Sequence, residues 1–286
     1  MKKKSLQKCR REWAGLLFVL PSLLGVSLFV LVPFLDVVRR SFVGAISEQW
    51  VGLGNYAATL GNPAFQLACK NTLRFVGVCI PALLLLSLLV GVFLQREKQV
   101  GPMLKTAFLF PMAIPVASVA LVWQVLFHEN GIVNGLLDGL GVNPIRWMNS
   151  PAAFWVLVGS YLWKNLGYDI VLWMAGLSGI PDSLYEAARI DGAGEWRLFR
   201  HITLPSLLPT FATVTVLSLL NSFKVFREAY LVGGDYPHES MYLLQHLFNN
   251  WFRDLSFDRM AAGAVMVCGV ILLLIFPLQN RLDREG

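Results

Sequence analysis

The sequence is short of charge, of clustered histidine and of any phosphate-binding loop, and each shortage excludes a class of function. Only 15% of its residues are charged while 56% are hydrophobic, a balance that excludes an ordinary soluble domain and suits an integral membrane protein. The four cysteines, Cys9, Cys69, Cys79 and Cys268, stand far apart with no Cys-x-x-Cys pair, so neither a disulfide framework nor a zinc site is indicated. None of the nine lysines follows a glycine, which excludes the Walker A loop that cradles ATP phosphates. His128-Glu129 and His238-Glu239 lack the second histidine of a zincin helix, and Gly176-Leu-Ser178-Gly179 misses the nucleophile elbow by one position. There is no low-complexity linker and no inverted repeat, so the chain reads as one domain and not as a self-contained secondary transporter. The net charge of +6 does not point to nucleic acid, because the basic residues collect at loop ends.

What the sequence has in plenty is long apolar runs, at about 16–38, 75–94, 107–127, 152–172, 207–223 and 261–278. They predict an all-α integral membrane protein with six transmembrane helices. The basic head Lys2, Lys3, Lys4, Lys8, Arg10 and Arg11 precedes a first run that is too long for a signal peptide and has no small-x-small cleavage site, so it reads as an uncleaved span. With the N-terminus inside, cytoplasmic segments hold about 14 Lys and Arg and the longer outer segments about nine. Both termini and the segment 181–205 are then cytoplasmic.

Segment 181–205 is the longest polar interruption that keeps helical order. Pro181, then Ser183 with Glu186 three residues on, reads as a capping box that starts a helix at Ser183. Leu184, Ala187 and Ala188 share one face, and Gly192 with Gly194 stops the helix. A second short piece follows, with Trp196 and Phe199 on one side and Arg197 and Arg200 on the other, ending at Leu204-Pro205. Such a hairpin either lies on lipid headgroups or fits a groove in a soluble partner.

Glu186-Ala187-Ala188, Gly192, and Ile202 with Leu204-Pro205 resemble the EAA loop of binding-protein-dependent ABC importer permeases. Further matches point to the sugar-permease branch of that family, which includes maltose- and glycerol-phosphate-type permeases. They are Leu20-Pro21 and Pro33, Gly52-Leu53-Gly54-Asn55-Tyr56, Asn71-Thr72-Leu73, Pro111, Pro115, Trp123, Gly131, Asn134, Trp147, Trp163, Gly167 and Ala175-Gly176-Leu177. One departure is Gly233-Gly234-Asp235-Tyr236-Pro237-His238, where the family often has Gly-Gly-Pro followed by Thr. The resemblance implies a type I importer permease fold in a bacterial cytoplasmic membrane, surrounded by lipid. It implies a second homologous permease, two copies of a cytosolic ABC ATPase and an extracytoplasmic solute-binding protein as partners. ATP and Mg would sit on the ATPase, with no cofactor or metal on this chain and no enzymatic activity of its own. The coupling residues carried over are Ser183, Glu186, Ala187, Ala188, Asp191, Gly192, Ile202, Leu204 and Pro205. The implied cargo is a mono- or oligosaccharide, or alternatively glycerol 3-phosphate or a related polar solute.

A second constellation lies within the spans. Lys164, Asn165 and Asp169 sit in the fourth run, where charge is costly unless it faces protein or water. They are either a structural pair between helices or the lining of a substrate path. Lys164 and Asp169 are five apart, which aligns an intrahelical pair poorly. Tyr168, with Asn221 and Ser222 in the fifth run, adds the ring face and hydrogen bonds that a sugar uses, and Pro111 and Pro115 predict kinks in the third run. Two rival classes have thin support. A secondary transporter needs coupling carboxylates, and Asp169 is the only acid well within a predicted span. A membrane-embedded hydrolase needs a base, and no histidine falls in any run.

Overall fold

The computed structural model of the protein describes residues 17–46, 48–96 and 101–285. The basic head, Cys9 and Lys98 lie outside them. Among the described residues every regular element is helical, and the one extended pairing is an isolated bridge between Val43 and Trp50. They pack as two compact units: the described residues up to Asn62 with Trp251–Val270, and Pro63–Asn250 with those from Ile271 onward.

In the first unit, α1 (Leu17–Arg40) is an apolar helix with no buried residue in its most hydrophobic stretch, as a lipid-facing helix requires. Pro33 has no N–H to offer the carbonyl of Phe29, and the helix takes up the missing bond as a π turn at Ser27–Leu31. The short α2 (Gly54–Leu60) is fixed by Asn55, whose side-chain amide donates to the carbonyls of Ser41 (3.1 Å) and Val43 (2.9 Å). Tyr56 shares a 2.7 Å hydrogen bond with Ser41 Oγ. The Gly52–Tyr56 motif is therefore a buckle for the loop after α1.

The second unit is built on α3 (Pro63–Arg96) and α7 (Ala153–Ser178), the most extensively packed pair of helices. Phe75, Cys79 and Leu83 of α3 meet Phe154, Leu157 and Tyr161 of α7 in one core cluster. Ile80 and Leu84 meet Trp173, Leu177, Leu207 and Val214 in another. Between α3 and α7 run α4 (Gly101–Ala113), α5 (Val116–Leu126) and α6 (Ile132–Gly139). α4 crosses α7 so closely that a Cβ on Gly167 would lie 1.9 Å from the carbonyl oxygen of Phe108. α4 and α5 form one apolar stretch bent by 95°, and Pro115, in extended backbone, makes the break. Pro111 lies inside α4, one turn earlier.

Asn134 on α6 fixes the connection to α7. Its amide nitrogen donates to the carbonyls of His128, Glu129 and Ile145, while its oxygen accepts from the Ile145 N–H and Trp147 Nε1. After α7 come α8 (Asp182–Ile190), α9 (Glu195–Leu198), α10 (Leu208–Ser222), α11 (Phe226–Gly233), α12 (Leu244–Arg253) and α13 (Phe257–Glu285). The divergent segment after α11 turns at Gly234 (φ +68) and is held by Asn250, whose side chain donates to the Asp235 carbonyl at 3.1 Å. Asn71 in α3 donates to the carbonyls of Glu239 and Tyr242 and so anchors the stretch before α12.

Among the described residues four helices are long and apolar enough to cross a membrane: Leu17–Arg40, Pro63–Gln95, Leu208–Gly233 and Phe257–Pro277. The bent α4–α5 pair makes a fifth. The remaining expected span is α7, whose 26 residues reach about 39 Å at 1.5 Å rise. Of its polar positions, Ser160, Tyr161 and Asp169 are buried by protein, while Lys164, Asn165 and Tyr168 are half-buried.

Candidate functional site

The loop after α7 starts where Gly179 caps that helix and Ile180 buries itself in the core. Pro181, in extended backbone, occupies the N-cap of α8, and its carbonyl accepts the Leu184 N–H at 3.2 Å. The expected capping box is therefore corrected. Ser183 lies one residue inside the helix, and neither it nor Glu186 makes a capping bond. The proline ring has already fixed the entry, leaving Ser183 no non-helical backbone from which to cap, and Asp182 supplies the first-turn negative charge instead.

Tyr185 turns inward to the core and its hydroxyl lies 3.0 Å from Thr203 Oγ1. The opposite face of α8 is open, with Leu184, Glu186, Ala187 and Ile190 exposed and Ala188 half-buried. Asp191 is the C-cap, and Gly192 takes φ +79, where a side chain is strained. The N–H of Gly192 bonds the Arg189 carbonyl and that of Ala193 the Ala188 carbonyl, at 3.0 and 2.9 Å, which is a Schellman closure.

Arg189 reaches Glu195 at the start of α9 (3.2 Å). Both side chains are over half exposed, so the pair sets direction more than stability. Trp196 stacks on Phe199, while Leu198 is buried. Pro205 removes a second helical N–H, and the chain answers with a π turn at Phe199–Thr203. Ile202 packs against the core, and Leu204 and Pro205 lie exposed at the foot of α10. The predicted coupling set thus divides into a projecting part (Glu186 to Gly192) and a foot (Ile202 to Pro205). Tyr185, Leu198 and Thr203, which hold the two together, were not among the predicted residues. The periodicity that exposes Leu184 and Ala187 also turns Tyr185 inward, and that signal was available.

The second constellation surrounds a cavity of about 380 Å³ between the Pro115 bend, α7 and the α10–α11 junction. Lys164, Asn165 and Asn221 line it together. Tyr168, Asp169 and Ser222 are not in its lining. Asp169 is fully buried and accepts from Ser218 Oγ at 2.7 Å. The buried Ser222 hydroxyl bonds the Leu219 carbonyl, and Tyr168 is half-buried.

Lys164 is paired not with Asp169 but with Glu228 of α11, at 2.6 Å. Five residues along one helix turn the two side chains apart, whereas α11 brings Glu228 alongside. Asp169 is also not the only acid in a span, since the fifth spanning stretch continues to Gly233 and includes Glu228. Sequence reading missed Glu228, Lys224 and Arg227 as cavity residues. A lysine within a span requires a counter-charge, and Glu228 was the signal. Among the described residues no group of three or more His, Cys, Asp or Glu is placed to hold a metal ion.

Residues 75–284 match the family described as binding-protein-dependent transport system inner membrane component. The chain is 31% identical over 273 residues to the arabinooligosaccharides transport system permease protein AraP of Bacillus subtilis, covering 93% of this chain and 85% of that one. It is 29% identical over 277 residues to the trehalose/maltose transport system permease protein MalF of Thermococcus litoralis, covering 95% and 93%. The solved structure of a bacterial ABC transporter involved in the import of the acidic polysaccharide alginate matches with a TM-score of 0.83. That match covers 98% of this chain and 99% of that one at 22% identity, a likeness of fold.

Proposed function

The chain belongs to the binding-protein-dependent transport system inner membrane component family, and from that premise we propose that it is the permease subunit of an ATP-driven importer for a mono- or oligosaccharide. It is a multi-pass membrane transport subunit and not an enzyme. Supporting a carbohydrate cargo are the relatives named for arabinooligosaccharide and for trehalose and maltose transport, each aligned over more than nine-tenths of this chain. In this reading the chain pairs with a second homologous permease, receives solute from an extracytoplasmic binding protein and is driven by two copies of a cytosolic ATPase that carry ATP and Mg. Both termini and α8 face the cytoplasm.

The observation that carries the reading is the construction of α8. It offers an exposed face of Leu184, Ala187 and Ile190 to a partner groove. Its other side is tied to the core by Tyr185 and Thr203. Only Gly179, Ile180 and Pro181 separate it from α7, so a push on α8 is delivered to α7. Lys164 and Asn165 lie on that helix, about 21 Å from its Ser178 end at 1.5 Å per residue. ATPase closure thereby moves the cavity wall, and the bend at Pro115 provides the opposing element that opens against it.

The test is affinity purification of the tagged chain from solubilised membranes with mass spectrometry of its companions. Recovery of a Walker A ATPase and a second permease, both lost on disruption of Glu186–Gly192, is the expected result. A chain recovered alone that still transports when reconstituted would overturn the importer reading.

A further inference from the structure

The cavity at the Pro115 bend holds more positive charge than its own ion pair requires. Glu228 is the one acid in its wall, and its Oε1 is engaged by Lys164 at 2.6 Å. Lys224 donates to a neutral partner, the side-chain oxygen of Asn221, at 2.7 Å. Arg227 has no carboxylate partner among the described residues. Lys224 and Arg227 are three apart where the chain passes from a 3₁₀ turn into α11, so they project to one side, and both line the cavity. Both are exposed residues without a carboxylate partner among the described residues, and together they set a positive field over the concave space they line.

The neutral groups of the wall are complementary to hydroxyls. The Asn165 nitrogen is occupied by the Tyr161 carbonyl at 2.9 Å, leaving its oxygen as an acceptor. The Asn221 oxygen is occupied by Lys224, leaving its nitrogen as a donor. A hydroxyl both donates and accepts, so this pair suits a polyol. The volume of about 380 Å³ falls at the lower end of small-molecule sites, roughly 300–1,000 Å³, which favours a short ligand.

We propose that the solute admitted to this cavity is an anionic carbohydrate, selected by two cations of its wall. Lys224 and Arg227 receive a carboxylate or phosphate on the sugar, and Asn165 and Asn221 bond its hydroxyls. The inference rests on the importer reading and narrows its substrate class. A neutral sugar leaves both cations uncompensated, whereas an anionic one draws on the field that is already there.

The experiment uses the purified complex with its companion subunits. The four native cysteines are replaced by alanine and one is introduced as Ala113→Cys, an exposed position in the cavity wall. Its labelling is timed with a sulfonate-bearing and a trimethylammonium-bearing methanethiosulfonate. The anionic reagent is expected to react about tenfold faster than the cationic one. That preference shrinks as salt is raised and is lost in Lys224→Gln/Arg227→Gln. Glucuronate or glucose 6-phosphate should slow the labelling at concentrations where glucose does not, and whichever does so separates carboxylate from phosphate. Equal rates for the two reagents, equal protection by glucose, or no protection by any of the three overturns the proposal. Val116→Cys, across the bend, repeats the test if Ala113→Cys fails to assemble. Companion subunits are quantified in the same preparation, so their absence counts against the importer reading, while flat labelling in an intact complex counts against the anion site alone.

Discussion

Lys164 Nζ donates to Glu228 Oε1 across 2.6 Å, joining α7 to α11 through side chains only 16% and 8% exposed. A pair this deep contributes little net stability over two well-packed apolar residues, but removing one partner strands the other charge away from water. Glu228→Gln is therefore expected to lower stability by about 3 kcal/mol. Lys164→Met/Glu228→Leu, which removes both charges, should fall much closer to the parent. Thermal unfolding of the parent and these two variants in detergent reads the difference. If Glu228→Gln unfolds like the parent, the pair does not hold these helices together.

Gly192 reports on coupling separately from folding. Its φ of +79 is strained for any side chain, yet an added Cβ would meet nothing within 4 Å. Gly192→Val should thus cost about 1 kcal/mol through the backbone alone, little enough for the chain to insert and assemble. Transport should fall far more than expression, because the Schellman turn sets the angle at which α8 is presented. Uptake by Gly192→Val equal to the parent at matched expression would remove the docking argument.

Gly167 makes the opposite case, in which space and not φ is limiting. A Cβ there would collide with the Phe108 carbonyl carbon and oxygen at 2.3 and 1.9 Å. Gly167→Ala must push α4 off α7 and is expected to cost at least about 2 kcal/mol. The loss should appear as poor recovery of monodisperse protein in size-exclusion chromatography. Gly159→Ala, on the same helix with nothing within 4 Å of its Cβ, is the control that stays unaffected.

The loop at 181–205 was legible because its signals are local. Gly192 needs positive φ, and Leu184, Ala187 and Ala188 fall in phase on one face whatever surrounds them. Its entry was misassigned for an equally local reason: Pro181 already fixes the turn that Ser183 was expected to cap. The cavity was only half legible. Lys164, Asn165 and Asn221 stood out as polar residues in apolar runs. Counting apolar residues, however, ended the fifth span before Lys224, where the charges begin, although the helical stretch continues to Gly233. Contacts between helices such as Lys164 with Glu228, 64 positions apart, have no spacing rule to reveal them. The family motifs also changed meaning. Asn134, matched only as a signature, is the hydrogen-bonding centre that closes the loop from His128 to Trp147.

His246 gives the chain a dependence on pH that comes from burial. It lies in α12, outside the spanning helices, with no exposed surface. Its Nδ1 accepts the Leu243 N–H at 3.2 Å, and its ring packs edge-on to Phe226 and stacks on Tyr242. Burial pushes its pKa down from 6.5 to about 4, against a weaker upward pull from Asp235. The folded protein therefore keeps the ring neutral while the unfolded chain takes up a proton below about 6.5. In that window the unfolded state binds more protons, so stability falls as pH drops from about 6.5 towards 4 and levels off below that. The full effect is about 3 kcal/mol. His246→Gln keeps an acceptor for the Leu243 N–H and does not titrate, so its unfolding temperature should fall less steeply than the parent's between pH 7 and 4. Because the carboxylates titrate alike in both proteins, the difference between the two curves isolates the imidazole. Parallel curves across that range would mean that the buried ring does not resist protonation.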